Sequence, residues 1–429
     1  MRALTRLAAA CAVSTAVLAS ADAHATSSML FGFGARSSAL AQSDVADAAA
    51  VTGAASSPAA LAEPGTRVMV GYGHGFTSLK FDRDPAGVRD IGGTDVALQI
   101  GGRAWGVTLG GGVAMHLPDR SLMSISFTPG GEPRFPRFEP TAHRLEVDLA
   151  VAVKLDRFAL GAGLSTLMNA RGDGVAFKLA QDGNGTYADG RADVTLPYRF
   201  APIASAAVDL GPASLALRYR GAMALDLQLA TRADVDVTGN PLNGTTTVRV
   251  DGASGYVPAT IDLGARWSAG TWVKAMASLQ YARWSAAPTP VAGLEMDVGL
   301  GVTPGLLEGA FGHPRYRDTL SPRVGVEVTP LQDRDRLALR AGYLLSPSPV
   351  QEQTGFATAA DTAIHGVSIG AGFGFGRVWG VHLRADASSM LMLLPERAFD
   401  KGSEVLPFAH YTTSGRVIHT ALSVEGAWK

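Results

Sequence analysis

The stretch RLEVDLAVAVK, residues 144–154, changes character at every position. Leu145, Val147, Leu149, Val151 and Val153 fall on one side of an extended chain, while Arg144, Glu146, Asp148, Ala150, Ala152 and Lys154 fall on the other. Successive side chains of a strand point to opposite faces, so this strand separates two different environments. A soluble sheet with one buried face would show the same pattern, and one strand does not decide between them.

The pattern recurs along the chain. In SLALRYRGAMALDLQ (214–228), Leu215, Leu217, Tyr219, Met223, Leu225 and Leu227 oppose Arg218, Arg220, Asp226 and Gln228. In RVGVEV (323–328) the valines oppose Arg323, Gly325 and Glu327, and in RLALRAGYL (336–344) Leu337, Leu339, Ala341 and Tyr343 oppose Arg336, Arg340 and Gly342. RVIHTALSVEGAW (416–428) sets Ile418, Leu422, Val424 and Trp428 against His419, Ser423 and Glu425. A closed barrel in lipid, apolar outside and polar inside, requires this, and closure leaves no sheet edge unpaired in hydrocarbon.

Segments of this kind predict fourteen strands: 66–81, 94–102, 104–116, 143–154, 157–168, 193–209, 212–229, 246–267, 271–284, 321–330, 335–346, 365–376, 378–392 and 415–428. Tight turns, as at Leu155-Asp156 and Gly211, alternate with long polar stretches at 117–142, 169–192, 230–245, 285–320, 347–364 and 393–414. Outer-membrane barrels have this asymmetry of short periplasmic turns and long external loops. Tyr219, Trp267, Trp272, Tyr281, Tyr343, Trp379 and Trp428 stand near strand ends or on apolar faces, as interface aromatics do. The expected fold is all-β: a 14-stranded antiparallel transmembrane β-barrel over 66–429 with an amino-terminal hatch (plug) over 26–65 in its lumen.

Residues 1–25 carry Arg2 and Arg6, an apolar run from Leu7 to Ala21, and Ala23-His24-Ala25, the pattern of a cleaved signal peptide. The single cysteine, Cys11, lies inside it, so no disulfide is expected beyond residue 25. Among the 429 residues 17% are charged and the formal net charge is −1, which gives no electrostatic basis for binding nucleic acid. The nine histidines show no ligand spacing, and no metal or other cofactor is implied.

Residues 26–65 do not alternate, and their cluster Met29, Leu30, Phe31 and Phe33 suggests a packed element. FGFGARSSALAQSDVADAAAVTGAASSPAALAE resembles the amino terminus of the FadL/TodX-type outer-membrane transporters of long-chain fatty acids and hydrocarbons. Gly34-Ala35-Arg36 is similar to that family's glycine-alanine-arginine start, and Ser57-Pro58-Ala59-Ala60-Leu61-Ala62 to its Asn-Pro-Ala-Gly-Leu-Ala-like motif, with Ser57 in place of the usual asparagine. RAGYLLSPSPVQEQTGFATAADTAIHGVSIGAGFGFG (340–376) resembles its arginine-x-Gly-Tyr strand, Ser-Pro loop and Ser-x-Gly strand. The resemblance implies a fourteen-stranded barrel with a hatch, passive uptake of a fatty acid or hydrocarbon, and lateral exit through the wall.

The candidate ligand-contacting residues are Phe31 and Phe33 in the hatch, Arg218, Arg220 and Arg340 on polar faces beside small residues, and Phe127 and Phe135 in the apolar loop 119–143. The arginines also admit a plainer role, as ion pairs that hold wall and plug. Gly366-Val367-Ser368-Ile369-Gly370 matches the nucleophile-elbow pattern, but Gly370, Gly372, Gly374 and Gly376 continue the period of two where a sharp turn into a helix is needed. Ser368 therefore reads as a wall residue, and no enzyme is expected. The expected partners are a hydrophobic small molecule and the surrounding outer-membrane lipid and lipopolysaccharide, with the barrel a monomer. A general diffusion porin and a barrel-borne lipid hydrolase are the alternatives.

Overall fold

The computed structural model describes residues 26–47, 51–119, 135–138, 144–168, 172–181, 186–195, 199–236, 244–270, 272–288, 291–298, 315–330, 337–354, 358–402 and 408–428. The expected signal peptide and Phe127 lie outside them.

In chain order the strands begin with β1 Gly65–Phe81, β2 Asp84–Pro85, β3 Ile91–Ala104, β4 Val107–Pro118, β5 Leu145–Leu155, β6 Phe158–Met168 and β7 Gly172–Gln181. Then come β8 Thr186–Thr195, β9 Arg199–Asp209, β10 Ala213–Arg220, β11 Met223–Asp236, β12 Gly244–Val257, β13 Thr260–Ala269 and β14 Val273–Ala282. The last are β15 Val291–Val298, β16 Thr319–Val328, β17 Leu337–Ser346, β18 Ile364–Val378, β19 Val381–Asp400 and β20 His410–Trp428. Leaving aside the two-residue β2, fourteen of them form one antiparallel sheet, β1-β20-β19-β18-β17-β16-β14-β13-β10-β9-β6-β5-β4-β3, which β1 closes by pairing with β3 as well. The closing register sets Thr66 opposite Trp428 and Phe81 opposite Thr413.

Burial is inverted relative to a soluble sheet. In β5, Leu149, Val151 and Val153 are exposed while Glu146 and Asp148 are 1% exposed. Leu215, Leu217 and Tyr219 of β10, Val367, Ile369, Phe373 and Phe375 of β18, and Leu422 and Val424 of β20 likewise face outward. Exposed hydrocarbon all round with enclosed charge is the arrangement lipid selects. The interface aromatics Tyr219, Trp267, Trp272, Tyr281, Tyr343, Trp379 and Trp428 are all exposed. Three short turns between strands have paired positive φ values, Asp82-Arg83 (46° and 74°), Trp105-Gly106 (52° and 81°) and Trp379-Gly380 (50° and 86°), the form that matches the twist of a hairpin. Among the described residues no helix is long and apolar enough to cross a membrane.

Three expected strands need correction. The segments 193–209, 212–229 and 246–267 are each divided, and β8, β11 and β12 leave the barrel for a second sheet of order β15-β12-β11-β8-β7. The breaks follow local chemistry: Gly221-Ala222 separates β10 from β11, and Pro258, which has no N–H to give a ladder, separates β12 from β13. Stretches read as loops at 169–192, 230–245 and 285–320 thus contain strands.

Residues 26–62 form short helices, Ser27–Phe31, Gly34–Ala39 and Gly53–Ser56, and 3₁₀ turns at Asp44–Ala46 and Pro58–Leu61. Thr26 caps the first by accepting from the Met29 N–H at 3.3 Å. Gly32, at φ +85°, ends it, and Pro58 opens the last turn, where a missing N–H costs nothing. The wall residues to which these elements hydrogen-bond, among them Asp95, Glu146, Glu327, Ser368 and His419, stand on the polar faces of their strands, so the segment packs against the charged and glycine-bearing side of the sheet.

Candidate functional site

The segment's seat is built from wall glycines. A Cβ on Gly110 would overlap the Leu61 carbonyl oxygen, and one on Gly161 the Pro58 backbone. On the opposite side, a Cβ on Gly342 would lie 2.6 Å from the Leu40 carbonyl carbon, and one on Gly370 2.5 Å from the Ala39 Cβ. Backbone therefore meets backbone, and the smooth faces of β4, β6, β17 and β18 exist because side chains there would exclude the segment.

Polar contacts fix it in place. Gly34 N donates to Asp95 Oδ2 at 2.9 Å, and the other oxygen of Asp95 meets His116 Nδ1 at 2.7 Å. Ser28 Oγ donates to Glu146 at 2.6 Å. Ala59 N donates to Ser205 Oγ at 2.7 Å, and Ser368 Oγ donates to the Ala39 carbonyl at 2.8 Å. The serine of the apparent nucleophile elbow thus holds the segment. Arg36 pairs with Asp47 and with Glu327, the latter at 3.1 Å. Burial opposes both Asp47 ionisation and Arg36 protonation, but their charges outweigh it: Asp47 is held at about 2 and Arg36 well above the usual guanidinium value.

Above the segment lies an apolar column. Phe31, 1% exposed, stacks on the His419 ring at 4.3 Å between centroids and 3° between planes. Around it are Leu79, Leu344, Ile364, Met390 and Met392, and the same cluster continues to Phe135, Phe138, Phe399 and Tyr411. The methionines supply adaptable, polarizable surface. Arg137, between the two loop phenylalanines, donates to Asp361 at 2.8 Å, to Ser346 Oγ at 3.0 Å and to the Thr362 carbonyl. Burial pushes the Asp361 carboxyl above its usual range in spite of that cation.

The sequence-derived candidates separate accordingly. Phe31 and Phe135 share the column. Phe33 points into another cluster, with Leu61, Met69, Ala114 and Ile203, and serves the seat. Phe135 and Phe138, expected on a water-exposed loop, are fully enclosed. Arg218 donates to Asp262 at 2.8 Å and to the carbonyls of Ala55 and Ser56 at 3.0 and 2.8 Å. Arg220 pairs with Glu146 at 2.5 Å and Ser165 at 2.8 Å, and Arg340 with Glu327 at 2.7 Å and Asp386 at 2.6 Å. All three have their charge met by wall acids, as in the plainer account. Of the hatch motif, Gly34 takes φ +77°, Ala35 and Ser57 are buried, and Pro58 and Ala59 lie against Gly161 of β6 and Ser205 of β9. His419, His116 and Arg137 escaped the sequence reading, since their role depends on contacts distant in the chain. The places of His116 and His419 on the polar faces of their strands were the available signal, while Arg137 lies in a turn and offered none. Among the described residues no group of acids, histidines or cysteines is arranged to hold a metal.

No protein-family model matches the sequence, and no curated protein does. Solved structures do match in shape. A Pseudomonas aeruginosa FadL homologue aligns at 13% identity over 92% of this chain and 98% of its own, with a TM-score of 0.57. The monoaromatic hydrocarbon channel CymD aligns at 13% identity over 92% and 97%, TM-score 0.55, and the Pseudomonas putida toluene transporter TodX at 15% over 92% and 98%, TM-score 0.53. Nearly whole chain on nearly whole chain, this protein has the fold of the FadL-type barrels.

Proposed function

We propose that this chain is an outer-membrane channel for the passive uptake of hydrophobic small molecules, with residues 26–65 as its hatch. The observation that carries this reading is the enclosed apolar column, which meets the segment at Phe31 inside a wall that is otherwise charged. A water-filled porin has no use for such a column, because apolar solutes do not partition into water. The names of the structural neighbours, a FadL homologue, a toluene transporter and a monoaromatic hydrocarbon channel, point the same way.

A hydrophobic molecule would reach the mouth near Phe135 and Phe138, exchange their contacts for its own, and descend to Phe31. Displacement of the segment would then release it. Flow follows the concentration gradient, and no covalent chemistry is required of Ser368 or any other residue. The barrel would act as a monomer among outer-membrane lipid and lipopolysaccharide. Uptake of labelled long-chain fatty acids and aromatic hydrocarbons by cells with and without the protein tests this. Unchanged uptake of every compound in the set would overturn it, and swelling of protein-bearing liposomes in small sugars would favour a general porin.

A further inference from the structure

On the outer surface of β20 the side chains that face lipid change character once. Trp428, Val424, Leu422 and Ile418 are exposed, and Arg416 is the first charged residue on that face. It stands twelve residues from Trp428, roughly 30 Å along the membrane normal for a strand tilted by about 40°, just beyond an apolar band about 25 Å tall. The neighbouring strands continue the same surface. Leu391 and Leu393 of β19 and Tyr72 and Phe76 of β1 are exposed on it, with Leu393 opposite Arg416.

Register brings a second cation to the same place. In the β1–β20 ladder Arg416 is opposite Ser78 and Lys80 is opposite Ser414, so Lys80 and Arg416 are diagonal neighbours, about 7 Å apart across the strands. Both are exposed, and among the described residues neither side chain has an ion pair or a hydrogen bond. Two unpaired cations this close repel each other, and an anion between them removes the repulsion. Beyond them the hairpin of β19 and β20 runs on, and a cleft of about 420 Å³ opens there with Asp82, Asp400, His410 and Thr412 on its walls. These carboxylates and the hydroxyl are hydrogen-bonding partners for the hydroxyls of a sugar, and the carboxylates disfavour a second anion. From the membrane outward the face therefore offers hydrocarbon, then two cations, then a polar cleft.

Resting on the reading of this chain as an outer-membrane barrel, we propose that Arg416 and Lys80 bind the phosphate of a lipopolysaccharide molecule in the outer leaflet. Its acyl chains lie along Leu391, Leu393, Ile418 and Leu422, and its sugars reach the cleft. A phosphate offers two oxygens to the planar fork of a guanidinium and a third to an ammonium, so one group satisfies both cations. A phospholipid would supply the phosphate and the chains but has no sugar for the cleft, which is why the glycolipid fits the whole face.

The test is equilibrium binding of diphosphoryl lipid A, dephosphorylated lipid A and dioleoylphosphatidylglycerol to the full-length barrel in non-ionic detergent. It uses wild type, the double variant Lys80→Gln/Arg416→Gln, and Arg283→Gln, which removes an exposed cation one residue past the outer end of β14. Wild type should bind diphosphoryl lipid A about tenfold or more tighter than either other lipid. The double variant should lose about tenfold or more of that affinity, and Arg283→Gln should stay within about threefold of wild type. Equal wild-type affinity for the phosphorylated and dephosphorylated forms overturns the proposal without needing any variant to fold. So does a double variant, shown folded by its heat-shifted gel mobility, that binds as wild type does, or an Arg283→Gln barrel that loses as much as the double variant. Phosphatidylglycerol bound as tightly as diphosphoryl lipid A overturns the glycolipid assignment. Insertion into phospholipid vesicles is measured on the same preparations: a wild type that inserts and fails these comparisons removes the proposal alone, and one that does not insert removes the outer-membrane reading as well.

Discussion

The hydroxyl of Ser368 and the carbonyl of Ala39, 329 residues apart in sequence, are joined by a 2.8 Å hydrogen bond that ties the barrel wall to the segment inside it. Ser368 is 1% exposed, so the carbonyl has no water to turn to when the hydroxyl is removed. Ser368→Ala should weaken docking of residues 26–47 by about 1 kcal/mol, the usual net value of such a bond. Faster amide exchange within that segment, with the barrel strands unchanged, is the expected readout. Equal exchange in both proteins would mean that Ala39 is held by its packing alone.

Gly161 and Gly110 accept backbone where any side chain would collide. Gly161→Val should lift the Pro58–Leu61 turn off β6 while leaving the ladder to β5 and β9 in place, since valine is well suited to a strand. The expected result is a folded barrel that admits small sugars in liposome swelling. A variant as tight as wild type would show that the segment can reseat elsewhere.

The pair of the half-buried Arg36 and the buried Asp47 sets an acid limit. The Asp47 carboxyl titrates near 2 instead of its usual 3.8, so its contribution is complete above about pH 4 and is lost as pH falls through its folded value. Asp47→Asn should destabilise docking by roughly 3 kcal/mol at neutral pH, because Arg36, largely enclosed, is left with one partner fewer. Proteolysis of residues 26–47 across pH should show the two proteins converging between about pH 4 and 2. A gap independent of pH would assign the effect to shape instead of charge.

Phe31 joins the segment to the column through its stack on His419. Burying a phenylalanine is worth about 1.5–3 kcal/mol, and about 1.4 kcal/mol is tenfold in affinity. Phe31→Ala should raise the half-saturating concentration for uptake of a hydrophobic solute by about tenfold or more. Phe33→Ala, which faces the seat, should act on docking and leave that concentration within about threefold. Equal effects of the two would deny the column its part in uptake.

The barrel was legible in strands such as 144–154 because lipid and lumen impose opposite demands on alternate residues, and a one-residue error would reverse both faces. Ser368 could be assigned to the wall on the same ground, since its flanking glycines keep the period. Three things stayed hidden. Strands β8, β11 and β12 alternate like any strand, so nothing in their pattern says that they leave one sheet for another. Phe135 and Phe138 stand in a long loop whose apolar side chains show no period, and Arg137 between them reaches Asp361, a contact distant in the chain. The pairing of Arg218, Arg220 and Arg340 depends on cross-strand register, which no local stretch encodes.

The register that places Thr66 beside Trp428 has a consequence for biogenesis. The filling segment is tethered directly to the first strand, and its partners include Ser368 and His419, on strands made near the end of synthesis. Its seat is incomplete until β18 and β20 are in place. The strands that form the last hydrogen-bonded seam also carry partners of the segment, so a chain whose β20 is missing loses both the closing ladder to β1 and the His419 contact to Ser38.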